Sequence, residues 1–172
     1  MFDLQPALHG SRIDLRPLRP DDFAELYRAA SDPLIWEQHP EPDRYKPDVF
    51  QRFFDGALAS NGALVVIDRS SARIIGSSRY CNLRLDESEV EIGWTFLERE
   101  FWGGSYNAEM KSLMLEHAFR FVERVVFVVG ETNWRSRRAM EKIGGRLFGE
   151  RERRLPDGSV GRDVVFAIAR PF

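Results

Sequence analysis

The sequence predicts an α/β fold of the mixed-sheet kind, with helices packed on both faces of the sheet. Three observations carry this. Short runs rich in β-branched and aromatic residues recur along the chain, as in RIDLRPL (12–18), ALVVIDR (63–69) and VVFVVG (125–130). Between them, apolar residues return at helical spacing in DDFAELYRAA (21–30), PDVFQRFFDGALAS (47–60) and AEMKSLMLEHAFRFV (108–122). Asn61-Gly62, Gly103-Gly104 and Gly144-Gly145 fall at joints between these runs, where glycine punctuates structure.

Taken in order, Ile13 and Leu15 alternate with polar neighbours as in a half-buried strand, and Pro17 and Pro20 close it. The helix over 21–30 carries acids at its N-terminal end, where the macrodipole favours them, and Phe23, Leu26, Tyr27 and Ala30 on one side. Segment 34–47 holds three prolines and no sustained period, and its aromatic and polar side chains suit a pocket wall. Pro47 opens a second helix, whose apolar face is Val49, Phe50, Phe53, Phe54, Ala57 and Leu58. Two strands follow within 63–83, and EVEIGWTFL (89–97) is a third after the polar turn LDES. A helix over 108–122, a buried strand over 125–130 and a short basic helix over 135–145 come next. RLFGERERR (146–154) and GRDVVFAIA (161–169) then pair antiparallel around a turn at Pro156, Asp157 and Gly158. The order β-α-α-β-β-β-α-β-α-β-β leaves one place for a parallel crossover, at the strand, glycine loop, helix and strand in the middle. Ligands of such sheets sit at the carboxyl end of the strand before the loop.

Length and composition narrow the function. A chain of 172 residues fits one domain over 1–172, and 43% hydrophobic with 30% charged residues is ordinary for a soluble globular protein. The 25 basic and 27 acidic side chains give a net charge of −2, with no field of one sign to attract nucleic acid or an anionic membrane. There is no membrane-length apolar run and no secretory signature in MFDLQPALHG, so a cytoplasmic location is expected. Cys81 is the sole cysteine, which excludes an internal disulfide and fits a reducing compartment. His9, His39 and His117 lack zinc-ligand spacing with Cys81, so no metal is expected.

Adjacent glycines ahead of a helix let the backbone approach an anion, which the unpaired N–H groups of the first turn then hold. The alternative is a turn that merely redirects the chain. The surroundings favour the first. EIGWTFLEREFWGGSYNAE (91–109) followed by GETNWRSRRAMEKIGG (130–145) resembles the acetyl-CoA-dependent N-acetyltransferase (GNAT) superfamily, in particular the branch of ribosomal-protein N-terminal acetyltransferases. The element order matches along the whole chain.

The resemblance implies the GNAT fold with splayed central strands, acetyl-CoA as cofactor, and acetyl transfer to a primary amine of a small molecule or a protein N-terminus. It implies a pyrophosphate loop of the form Gln or Arg, two residues, Gly, one residue, Gly or Ala. Gly103 fits this form, whereas Glu100 and Ser105 depart from it. The amides of Phe101, Trp102, Gly103, Gly104, Ser105 and Tyr106 would surround the pyrophosphate. Main-chain groups of Gly93, Trp94 and Thr95 would pair with pantetheine like an added strand. Asn133 and Ser136 match the family's Asn-x-x-Ser, which lines the pantetheine arm and thiol, although both are also good helix caps. Arginines of RSRR (135–138) would meet the 3′-phosphate or form a solvated face.

Amine acetylation needs an uncharged nucleophile, a stabilised oxyanion and a proton for the departing thiolate. Glu91 is the expected base, its alternative being an ion pair with Arg79, and Glu89 is the reserve. A glutamate and tyrosine used by some members are replaced here by Val128 and Met140. Ser136 is the candidate acid. Cys81 reads as an inert strand residue rather than an acyl-accepting nucleophile. The acceptor pocket is expected from Trp36, Glu37, His39, Tyr45, Arg79 and Tyr80, an aromatic and acidic lining suited to a cationic amine. A coenzyme A-binding module without turnover, of the same fold, is the competing reading, as is a domain in which the glycines only turn the chain. The protein is expected as a monomer or homodimer, without nucleic-acid or membrane partners.

Overall fold

The computed structural model describes residues 1–155 and 157–171, and Pro156 of the expected final turn lies outside them. Eight strands form one sheet in the order β1-β2-β3-β4-β5-β6-β8-β7. They are β1 (Leu8–His9), β2 (Ile13–Pro17), β3 (Ala63–Asp68), β4 (Ile74–Arg84), β5 (Glu89–Leu97), β6 (Arg124–Gly130), β7 (Arg146–Arg154) and β8 (Val160–Ala169). Every neighbouring pair is antiparallel except β5 and β6, the crossover expected around the glycine loop. Strand β1 is additional to the expected set. Two residues hold too little pattern to be read, and it exists because Leu8 pairs with Leu15 across the edge of β2.

Both faces of the sheet are covered, which is why ALVVID of β3 shows a continuous apolar run rather than alternation. Leu64 and Val66 face a cluster containing Met110, Met114 and Ala118 of α3 (Ser105–Ala118). Ala63 and Val65 face the opposite cluster, with Leu26 of α1 (Phe23–Ala30) and Phe50, Phe53 and Phe54 of α2 (Pro47–Ala59). Fully burying a side chain of this size is worth about 1.5–3 kcal/mol, so these layers dominate the stability. The fourth helix, α4 (Trp134–Lys142), contributes Met140 to the first cluster.

Two helix boundaries differ from the sequence reading. Pro20–Asp22 forms a 3-10 turn before α1, with buried Asp22 accepting from the backbone of Arg19 and from both Arg16 Nη atoms at 2.8 Å. Helix α3 begins directly after the glycines at Ser105 and ends at Ala118 rather than at 122. Phe119 to Phe121 continue as a turn, and Phe121 and Val122 still pack inward.

Candidate active site

Strands β5 and β6 pair only at Glu89–Arg124, Val90–Val125 and Glu91–Val126, then part. The cause lies on the other side of β5. Between the pairs Ser77–Phe96 and Arg79–Gly93, one residue of β4 (Ser78) opposes two of β5 (Trp94 and Thr95). Such a bulge bends the strand that carries the extra residue. Trp94 sits at φ +56°, the left-handed region, which a bulky side chain enters only under strain. Strand β6 meanwhile stays paired with β8 as far as Gly130.

The gap so opened is a cleft of about 1360 Å³. Gly93, Trp94 and Thr95 line one wall, Val128 to Gly130 with Asn133 and Ser136 the other, and Gly103, Gly104 and Asn107 stand at one mouth. Gly103 adopts φ +70°, open to glycine at no steric cost, and an added Cβ there would meet nothing within 4 Å. Gly104 is the N-cap of α3 and supplies no side-chain acceptor, so the first-turn N–H groups are left for a ligand. Phe101 and Trp102 donate to Glu98 O and Arg99 O, so these two amides of the expected loop are already paired. Trp102 lines the cleft through its ring, which donates from Nε1 to Leu97 O and lies under Arg135 at 4.1 Å. The Tyr106 hydroxyl donates to Asp68 at 3.3 Å, and its ring packs edge-on to Phe101, both away from the cleft. Ser105 is exposed at the start of α3.

Asn133 is buried and caps α4, accepting from the Ser136 N–H at 3.2 Å. Capping and cleft lining thus coexist in these two residues. Arg138 and Lys142 stand exposed on the cleft side of α4. A bare helix N-terminus, a glycine at positive φ with open space beside it and two exposed cations along a long slot fit a phosphorylated, elongated cofactor.

Glu91 lines the cleft where the strands part and is 7% exposed. It is not paired with Arg79. Its carboxylate accepts from Asn82 Nδ2 at 2.8 Å and lies 3.5 Å from Arg151 Nη1. Glu89 is locked elsewhere, between Arg84 and Arg124. Burial alone would raise its pKa, but the hydrogen bonds from Arg124 and Arg84 hold it below the usual carboxylate range. Burial, with the nearby Glu91 charge, pushes the Cys81 thiol up to about 12, which leaves it inert.

Of the expected acceptor residues, Trp36 and His39 line the cleft, and Arg79 is buried beneath the Trp94 ring, 4.5 Å from its centroid. Tyr80 is a correction: it is fully buried, on the opposite sheet face, and donates its hydroxyl to Met114 O at 2.6 Å. Successive strand residues face opposite ways, so Arg79 and Tyr80 cannot share one pocket. Glu37 is drawn aside by Arg135 at 2.8 Å, and Tyr45 packs with α1 and α2. The lining is also more basic than expected, because Arg44, 3% exposed, enters it from the loop before α2.

Lys111 is a site residue absent from the sequence reading. It lies between the parted strands, 2% exposed, with Nζ donating to Thr95 Oγ1 at 2.6 Å and 5.4 Å from the Phe127 ring. Burial draws its pKa from 10.5 down to about 7. The signal is present in the sequence: Lys111 stands three residues before Met114 and seven before Ala118, on the stripe that the helix buries.

Among the described residues, a mixed sheet whose single parallel pair opens beside an uncapped helix forms a slot with the length and the donors to suit an elongated, phosphorylated cofactor. Residues 12–146 match the acetyltransferase (GNAT) domain model, and the chain belongs to this family, whose cofactor is acetyl-CoA. A solved protein from T. thermophilus described as an acetyltransferase is 29% identical, with TM-score 0.77 over 95% of this chain and 88% of that one. A GCN5-related N-acetyltransferase from Brucella melitensis (21% identity, TM-score 0.81, 96% and 79% covered) shares the fold. So does Mycobacterium smegmatis RimJ in complex with CoA-disulfide (20%, TM-score 0.75, 96% and 88%). No curated protein matches the sequence.

Proposed function

We propose that this acetyltransferase is an N-acetyltransferase, which passes the acetyl group directly to a primary amine of a small molecule or a protein N-terminus. The observation that carries the reading is the coincidence, in one cleft, of the parted β5 and β6, the uncapped start of α3 and the buried carboxylate of Glu91. Acetyl-CoA, when bound, supplies an activated thioester. Gly103, Gly104 and the first turn of α3 hold its phosphates, and the unpaired edge of β5 at Gly93 to Thr95 holds its pantetheine arm. Asn133 and Ser136 border the same arm from α4.

Glu91 accepts the proton of the incoming amine, directly or through one water, since free amines are mostly protonated at neutral pH. Asn82 and Arg151 hold that carboxylate in place. Ser136 stands at the cleft wall to return a proton to the thiolate. No covalent intermediate with the protein is required, in keeping with the inert Cys81. The test is an acceptor screen with purified protein and acetyl-CoA, read by mass spectrometry and by release of free thiol. Acetylated amine with stoichiometric thiol supports the reading. Binding of coenzyme A without thiol release across the screen would favour a module that holds the cofactor without turnover.

A further inference from the structure

Positive charge gathers at the acceptor end of the cleft, with Arg44 in its lining and Arg79 beneath the Trp94 wall. Arg79 is 6% exposed, its Nε is buried without a partner, and among the described residues it makes no ion pair. Its guanidinium rests 4.5 Å from the Trp94 centroid and 5.8 Å from that of Phe53. Arg44 is more buried still, contacts the rings of Trp36, Phe53 and Trp94 at 5.2, 4.9 and 5.4 Å, and also has a buried, unpartnered Nε. Among the described residues its one carboxylate partner is the exposed Glu41. Two cations gathered around the same rings repel each other. Burial and the charge of Arg79 together lower the Arg44 pKa to about 9, so it stays charged at neutral pH.

His39 sharpens the picture. Its Nδ1 faces the backbone N–H of Glu41 at 2.9 Å, and a backbone N–H only donates, so Nδ1 is the acceptor. In the neutral ring, which burial with the charges of Arg44 and Arg153 enforces down to about pH 3, the proton is then on Nε2. That N–H faces Arg44 Nη1 at 3.3 Å. Two donors are thus turned toward one another, an arrangement that a shared anionic oxygen satisfies.

The position suits an acceptor substrate. Arg79 pairs with Gly93 and Cys81 with Glu91, so Arg79 and the proposed base lie on one sheet face two residues apart, about 7 Å along the strand. We propose that the acceptor is a small amine carrying an oxyanion, a carboxylate or a phosphate, which Arg79 and Arg44 bind beside Trp94 while its amine reaches Glu91. This rests on the acetyl-transfer reading and narrows its substrate class.

The test uses matched pairs that differ in one anionic group: an α-amino acid against its amide, and O-phosphoethanolamine against ethanolamine. Each is titrated calorimetrically into the wild-type protein, with and without coenzyme A, and assayed for acetylation with acetyl-CoA. The charged member should bind at least about 30-fold more tightly than its neutral twin, and whichever pair shows the larger ratio identifies carboxylate or phosphate. Arg79→Met should bring that ratio near one while leaving the affinity for coenzyme A within about twofold. If that variant fails to fold, Arg44→Gln and the wild-type pairs carry the same comparison. Equal binding within both pairs, or no binding by any member, overturns the proposal. Charge-selective binding without acetylation would instead count against acetyl transfer alone and leave the anion site standing.

Discussion

Replacing Lys111 with methionine removes a charge from the centre of the cleft floor while nearly conserving side-chain length. In the wild type the ammonium is out of water, with one hydroxyl partner, Thr95 Oγ1, and no carboxylate among the described residues. The gap between 10.5 and a folded pKa of about 7, at about 1.4 kcal/mol per pH unit, makes the buried charge cost about 5 kcal/mol. Between pH 7 and 10.5 the unfolded chain holds a proton here that the folded chain has released. Stability therefore rises with pH across that window, and the full cost stands below it. Methionine does not titrate, and the other ionisable groups are common to both proteins, so their difference isolates Lys111. Thr95 Oγ1 keeps its bond to Ser78 Oγ at 2.8 Å and is not orphaned in the variant. Urea unfolding at pH 6.5 and 9.5 should find Lys111→Met the more stable at the lower pH by about 4 kcal/mol, with the gap narrowing by about 3 kcal/mol at the higher. A gap that stays constant over this range would refute the burial of an uncompensated amine.

Further outcomes follow from the same structure. Glu91→Gln should lower kcat by about 10²–10⁴, with coenzyme A affinity unchanged in calorimetry. Gly103→Ala should fold, because the added methyl meets nothing, yet lose about 1–2 kcal/mol in urea unfolding through the cost of a side chain at positive φ. Glu89→Gln should lose about 1.5–3 kcal/mol in chemical denaturation by weakening its hydrogen bonds to Arg84 and Arg124, of which Arg84 keeps Glu87 as a second partner. In the wild type the stabilisation from Glu89 is present above the unfolded carboxyl pKa near 4.5 and is lost as the pH falls through its lower folded value.

The order of elements was legible because each long segment repeats one period. The glycines before α3 marked the uncapped start of that helix. The parting of β5 from β6 came from family resemblance alone. Its physical cause is a bulge at Trp94, a residue type that carries no mark of a positive φ. Tyr80 was misplaced for a related reason: with both sheet faces buried, apolar content no longer says which way a strand residue points, and one step of parity separates it from Arg79. Arg44 escaped notice because the loop that carries it has no periodicity, and only the folded chain shows it driven under Trp36 and Phe53. Lys111 was readable, since a charged residue on the apolar stripe of a helix is an anomaly that asks for a reason.

The central claim is that the unpaired edge of β5 and the bare start of α3 together grip the cofactor. Residue-resolved amide hydrogen exchange, with and without coenzyme A, tests it directly. Gly93 to Thr95 and Gly103 to Asn107 should slow together on addition of the cofactor, while the paired stretch from Glu89 to Glu91 stays as it was. Unchanged exchange at both segments under saturating coenzyme A, or protection confined to another surface, would contradict it.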